Sequence, residues 1–313
     1  MSQVSGQGTT WNLPNYAGEL YTASPEFTPF LSIIGGMTGG LQSNNFEFAM
    51  GSTYDYTAAS QPAITETASL TSPTAIENVR AQVTNVCQIF HEAIQISYEK
   101  LANQSRLSGL NTQGAVNNVT DDKNKQIAWA LVKIARDIEY SFLRGSYSLA
   151  ANAGEANKTR GIITACSTTA IAAGTVDLSK ALIDQAMRTM AGGGAKFQNM
   201  IIFANAFQLQ SISDIYGFAP TDRSVGGVAI KTILTDFAQM GIIYDPFMPT
   251  DTVLFADVAS CAPVFQPVPN KGNFFYEELS KTGASENGQI FGKAGLSYGV
   301  EYLHGKITGL TTS

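Results

Sequence analysis

TDDKNKQIAWALVKIARDIEYSFLRG, residues 120–145, carries the strongest secondary-structure pattern in this sequence of 313 residues. Its large apolar residues recur at intervals of three and four, which places them on one helical face. They are Ile127, Leu131, Ile134, Ile138 and Phe142. Thr120 favours a helix start and Gly145 a helix end. The pattern predicts a helix of about 36 Å, long enough to be the spine of a domain.

The sequence before this helix is poor in patterns that could form a core. Residues 1–45 are rich in Gly, Ser, Thr, Asn and Pro and predict an extended arm. The alternation that begins at Phe46 predicts a strand, and residues 58–73 predict a polar loop tip. A return strand is predicted over residues 76–98. A long hairpin of this kind is marginal alone and needs a partner.

The arm and hairpin therefore predict contacts with other copies of the chain. The apolar side chains that we expect at these subunit interfaces are Phe27, Phe30, Phe46, Phe48, Tyr54 and Tyr56.

The sequence after the helix alternates helical and strand patterns. Helices are predicted around residues 178–192 and 206–213, and apolar strands at 200–204, 228–234, 240–244 and 253–256. This alternation predicts a compact mixed α/β domain. From Pro263 onward the pattern is again that of strands, including one that runs through Leu296 to Tyr302.

Composition points to a protein that associates with itself. Charged residues are 14% of the chain, against about 25% in an ordinary soluble domain. The net charge of −6 lies wholly in residues 1–79, which contain no Lys or Arg. An arm of that charge is unsuited to binding nucleic acid.

Residue patterns typical of catalysis or metal binding are weak. Ser297 lies in GLSYG, which fits the G-x-S-x-G pattern of serine hydrolases, but no helix is predicted after it and His304 lies an odd seven residues further on. Asp137 and Glu139 are two apart on the helix and do not face each other. His91 has no second ligand nearby, and three scattered cysteines indicate buried thiols. We expect no enzymatic activity, cofactor, metal site or membrane span.

Several segments, in this order, resemble the major capsid proteins of tailed bacteriophages. They are SPEFTPFLSIIGG (24–36), NVCQIFHEAIQIS (85–97), QIAWALVKIARDIEYSFLRG (126–145), KTRGI (158–162) and the later TDF (235–237), MP (248–249) and Asp257. The resemblance is to the Hong Kong 97-type fold, and within it to the SU-ten-type major head proteins.

This resemblance implies an α+β fold with a defined division of the chain. Residues 1–45 would be the N-terminal arm and 46–97 the extended loop, a β-hairpin. Residues 98–159 and 263–313 would form the peripheral domain around the spine helix, and 160–262 the axial domain.

The resemblance also implies a function: self-assembly into the icosahedral head that encloses a double-stranded DNA genome. Partners would be further copies, as hexamers and pentamers, with possible portal, scaffold and decoration proteins. Packaged DNA would be contacted only weakly and without sequence preference. The protein would reside in the virion after assembly in the host bacterial cytoplasm. Any scaffold is expected to be a separate protein.

Other functions remain open from the residues alone. An encapsulin-like bacterial compartment shell has the same fold and encloses enzymes. A serine hydrolase built on Ser297 is disfavoured by the strand pattern. A tail-tube or decoration protein is disfavoured by the long helix.

Overall fold

The computed structural model describes residues 28–54, 59–73, 75, 77–99, 122–217, 221–225, 228–281 and 283–312. In chain order the helices are α1 Pro29–Ile34, α2 Glu66–Ser69, α3 Asp122–Arg144, α4 Ile162–Ala165, α5 Lys180–Gly192 and α6 Ala206–Tyr216. The strands before the long helix are β1 Leu41–Gln42, β2 Glu47–Tyr54, β3 Arg80–Val86 and β4 Gln88–Ser97. Those after it are β5 Ala170–Val176, β6 Met200–Ala204, β7 Thr221–Val225, β8 Val228–Leu234, β9 Gln239–Tyr244, β10 Val253–Asp257, β11 Ala262–Phe265, β12 Phe274–Glu278, β13 Ser285–Ser297 and β14 Gly305–Leu310.

The strands form two main sheets and one separate hairpin. The 5-stranded sheet is centred on β13, which pairs with β4 along one edge and with β12 and β11 along the other, while β1 extends β11. The 7-stranded sheet has the order β5-β14-β10-β6-β9-β8-β7. The hairpin consists of β2 and β3.

The long helix confirms the strongest sequence prediction. α3 has 23 residues, about 35 Å at 1.5 Å per residue, and it packs against β4 and β13. Ile134, Ile138 and Phe142 are buried as predicted, whereas Leu131 is 37% exposed. The buried face is therefore narrower than the apolar spacing indicated. The predicted cap at Thr120 lies outside the described residues.

The two faces of the 7-stranded sheet are both covered. Along β6, which is buried throughout, Ile201 and Phe203 pack into the core that contains α3, whereas Met200, Ile202 and Ala204 pack into the core that contains α5. This alternation is the period of a strand between two apolar layers. The strand therefore joins the two halves of the molecule.

Three sequence predictions were wrong in their boundaries. The return strand predicted over residues 76–98 is divided at Cys87, because β3 pairs with β2 while β4 moves to the edge of β13. The predicted strand 296–302 ends at Ser297, since Gly299 adopts a positive φ of 68° and turns the chain. The strands within residues 263–313 do not all belong to the 5-stranded sheet, because β14 lies in the 7-stranded sheet beside β5 and β10.

Candidate subunit-interface surfaces

The β2–β3 hairpin extends into a loop with no core of its own. The ladder runs from Glu47 opposite Val86 to Tyr54 opposite Arg80. Beyond it, every described residue of 59–73, 75 and 77–79 is exposed, including the short helix α2. We call residues 55–79 the hairpin tip. Its described side chains have no apolar burial within the subunit.

The base of the hairpin is fixed firmly to the body. The Cys87 amide donates to the Phe46 carbonyl at 2.7 Å. The ring of Phe48 lies so close over Gly295 of β13 that a Cβ there would be 2.8 Å from its Cε1 atom. The hairpin therefore has a rigid root and an unsupported tip.

The prediction that Phe30 lies at a subunit interface was wrong. Its side chain is 0% exposed and packs edge-on against Phe203, with 5.3 Å between ring centroids. It is a core residue, because α1 folds back between α3 and the 7-stranded sheet. The spacing of apolar residues cannot distinguish a side chain that packs on its own subunit from one that packs on a neighbouring subunit.

The other predicted interface residues have different environments. Phe46 is 49% exposed at the root of the hairpin and keeps surface for a neighbour. Phe48 is half-buried against its own subunit. The Tyr54 side chain, Phe27 and Tyr56 lie outside the described residues.

Exposed apolar residues on and beside the tip were missed by the sequence reasoning. Leu70 is 85% exposed and Ile64 72%, and Val79 and Leu41 are also more than half exposed. The available signal was their isolation, since each stands among polar or small residues that offer no apolar partner. Large apolar side chains exposed to this degree are the candidates for contact with another subunit.

The root of the arm is attached by a buried carboxyl group. Both side-chain oxygens of Glu139 accept backbone N–H bonds, from Phe30 at 2.8 Å and Leu31 at 2.7 Å. As predicted, Glu139 does not face Asp137, which instead bonds Lys133 at 3.0 Å on the exposed side of α3.

Ion pairs hold the other end of α3 on the 5-stranded sheet. Lys123 Nζ lies 2.5 Å from Glu278 and 3.3 Å from Glu286, and the hydrogen bond with Glu278 raises the pKa of Lys123. Lys133 bonds Glu92 of β4. Exposed pairs of this kind contribute little energy, about 1 kcal/mol or less each, so they orient the helix more than they stabilise it.

Ser297 and His304 do not form a catalytic relay. His304 is fully buried, its Nε2 donates to the Tyr298 carbonyl at 2.7 Å, and its Nδ1 accepts from the Asp257 amide at 3.2 Å. The nitrogen that would take a proton from serine therefore already carries one. Burial lowers the pKa of His304, so the ring stays neutral and joins three segments of the fold.

Chemically reactive groups are otherwise sequestered or dispersed. All three cysteines are buried, as the sequence indicated, and burial raises the pKa of Cys87 to about 11. Within the described ranges no three His, Cys, Asp or Glu residues are grouped as metal ligands. No described helix is long and apolar enough to cross a membrane. The candidate interface surface of the described residues is thus the hairpin, with its exposed tip and Phe46 at its root.

Comparison with known proteins identifies the family of the chain. The family model for the SU10 major capsid protein matches residues 3–311, nearly the whole chain. The chain belongs to the SU10 major capsid protein family. Among curated proteins none matches it.

Solved structures agree with the family on the fold. The cyanophage A-1(L) capsid subunit is 12% identical, with a TM-score of 0.68, and the match covers 94% of this chain and 95% of that one. A chain from Mycobacterium phage Patience is 11% identical, with a TM-score of 0.62 over 100% and 90% of the two chains. The SrpI encapsulin of Synechococcus elongatus PCC 7942 is 9% identical, with a TM-score of 0.56 over 95% of each. The SU10-family chain thus has the Hong Kong 97-type fold, and its role is to form a capsid shell from many copies.

Proposed function

We propose that this chain builds the icosahedral head of a tailed phage around double-stranded DNA, and that its hairpin tip becomes buried on neighbouring copies. The observation that carries the proposal is the tip itself, whose described residues are all exposed in the single subunit. Among those described residues, Leu70 and Ile64 are the most exposed large apolar side chains. Burying one such side chain stabilises an assembly by roughly 1.5–3 kcal/mol.

Many modest contacts suit a shell. Each tip would contribute a small free energy, and closure of the particle would make the contacts act together. Weak individual contacts also let a misplaced subunit leave during assembly, since dissociation governs residence time.

The parts of the chain then take separate roles. Residues 1–45 would be the arm, 46–97 the extended loop, and α3 the spine of the peripheral domain formed by 98–159 and most of 263–313. Residues 160–262, together with β14 of the same 7-stranded sheet, would form the axial domain that meets its copies in pentamers and hexamers. Portal, scaffold and decoration proteins would bind the assembled shell, and assembly would take place in the bacterial cytoplasm.

The packaged DNA would lie against the shell without being held tightly. The chain has a net charge of −6, whereas tight DNA binding needs clustered Lys and Arg to displace counterions. A container that fills and later empties is served by weak, sequence-independent contact.

The experiment is to purify the particles and measure their contents. Electron microscopy should show closed icosahedral shells, and particles from infected cells should contain nuclease-protected double-stranded DNA. Shells that contain a co-purifying enzyme and no DNA would instead assign the chain to the encapsulin-like compartments, whose fold it also matches. Absence of any closed particle would contradict both.

A further inference from the structure

A pair of buried acidic residues joins three parts of the subunit. Glu139 lies on α3 and Asp245 directly follows β9, and both are 0% exposed. Glu139 accepts the amides of Phe30 and Leu31 at the start of α1. The pair therefore ties the root of the arm to the spine helix and to the 7-stranded sheet.

The hydrogen bonds of Asp245 leave one of its two carboxyl oxygens without a donor among the described residues. Its Oδ1 accepts from the Phe247 amide at 2.8 Å. Its Oδ2 is buried and accepts no N–H or hydroxyl hydrogen bond from the described residues. A buried carboxylate oxygen without a donor is costly. A proton on the Glu139 carboxyl group, which interacts with Asp245, would supply the missing donor.

Neither carboxyl group forms an ion pair with a cation of the described residues. No Lys or Arg nitrogen among the described residues lies within 4.0 Å of either carboxyl group. Arg136, one turn before Glu139, places its guanidinium over the Phe247 ring at 5.9 Å. Four neighbouring elements carry only apolar and hydroxyl side chains and no ionisable group. They are α1, α4, β11 and the turn Val258–Ser260.

The charged groups on the remaining neighbouring elements have partners elsewhere. The sheet strands that pack on α3 and α1 supply His91, Glu92, Lys231, Glu286 and Lys293. Glu92 bonds Lys133, Glu286 bonds Lys123, His91 bonds Gln289 and Lys293 bonds Gln266. Lys231 is exposed.

We propose that Glu139 and Asp245 share one proton and that this shared proton is a pH-dependent latch, which holds α1 and the root of the arm to the subunit body. Burial and the charge of Asp245 raise the pKa of Glu139, and burial raises the pKa of Asp245 to about 6. Two buried carboxyl groups that hydrogen-bond to each other do not both ionise. When the latch opens, water reaches both groups and the shared proton is released.

The sign of the pH dependence follows from proton counting. The closed latch holds one proton more than the open latch at any pH between the ordinary carboxyl range and the raised upper pKa of the pair. Closure is therefore strongest at acidic pH and weakens as pH rises. Each unit of pH in that interval increases the opening constant about tenfold.

Hydrogen exchange at the Phe30 and Leu31 amides measures this opening constant directly. The full-length protein is compared at several pH values between 6 and 9 in one assembly state, and each rate is divided by its intrinsic exchange rate. We expect the logarithm of the opening constant to rise by about one per pH unit below the raised upper pKa of the pair and to level off above it.

Two isosteric variants separate proton sharing from simple capping. Asp245→Asn keeps an oxygen for the Phe247 amide and donates to an ionised Glu139, so the slope should fall to about zero while both amides stay protected. Glu139→Gln removes one acceptor, so protection should fall and the slope should again be about zero. Asp214→Asn, the same change at an exposed position of α6, should keep the parent slope.

A parent slope of zero would overturn the latch, as would an Asp245→Asn slope equal to that of the parent. The test concerns the subunit's own fold, so it does not depend on whether the shell encloses DNA.

Discussion

Substitution of Gly161 tests how the long helix is attached to the chain that follows it. Gly161 donates its amide to the Gly145 carbonyl at 2.9 Å. A Cβ at Gly161 would lie 2.5 Å from the Gly145 nitrogen, 2.7 Å from the Leu143 oxygen and 2.8 Å from the Arg144 nitrogen. All three atoms are backbone, so no side chain can rotate away. The end of α3 must move if Gly161 is replaced.

The expected cost of Gly161→Ala can be worked from these contacts. Overpacking costs roughly 1–3 kcal/mol, and loss of the hydrogen bond to Gly145 costs about 0.5–1.5 kcal/mol more. We expect a loss of about 2–4 kcal/mol, which lowers the urea midpoint by about 1 M at a slope of about 3 kcal/mol per molar.

The assay is urea unfolding followed by circular dichroism, with Gly192→Ala as the control. Gly192 ends α5 and has open space at its Cβ position, so alanine there should be neutral or stabilise by up to about 1 kcal/mol. A change below about 0.5 kcal/mol for Gly161→Ala would refute the close-packing argument.

Two further predictions concern His304 and the hairpin tip. Burial lowers the pKa of His304, so its contribution to the free energy of unfolding is present above about pH 6.5 and is lost as pH falls through the lowered pKa. His304→Asn should therefore unfold at a lower temperature than the parent at pH 7 and lose less stability than the parent on acidification. A thermal unfolding profile against pH that is unchanged in the variant would contradict the assignment. Leu70→Glu should prevent or greatly slow particle formation, measured by light scattering, because glutamate removes the apolar surface. Leu70→Met keeps that surface and should assemble like the parent. Equal assembly of both variants would exclude Leu70 from the interface.

The elements that the sequence predicted well are those specified by local spacing. The face of α3 and the apolar strand β6 have regular patterns, and the structure has both. The division at Cys87 was missed because it depends on which distant strand each half pairs with. Long-range pairing leaves no trace in the alternation of a single strand.

The interface prediction for Phe30 failed because burial there depends on the tertiary fold. Phe30 lies in the apolar cluster FTPFLSII (27–34) and Phe46 between polar residues, and of the two only Phe30 is covered by its own subunit. The sequence pairs Glu139 only with Asp137, two residues away, whereas Glu139 lies four residues after Ala135 and three before Phe142, on the buried face of α3. That position was the signal for a buried carboxyl group, but its partner Asp245 comes from another part of the chain.

Two of the segments that resemble major capsid proteins contact each other in the structure. The segments 126–145 and 158–162 meet at Gly145 and Gly161, whose backbones are in direct contact. A side chain at either position would separate the spine helix from the segment that starts α4.

Replacing the hairpin tip tests the central claim most directly. Tyr54 pairs with Arg80 at the end of the ladder, so an Asn-Gly turn can close the hairpin in place of residues 55–79. The strands, the Phe46–Cys87 bond and the Phe48 contact remain. Negative-stain electron microscopy and sedimentation should then show a folded chain, with unchanged circular dichroism from the body, that forms no closed shells. Normal icosahedral particles from this chain would contradict the account.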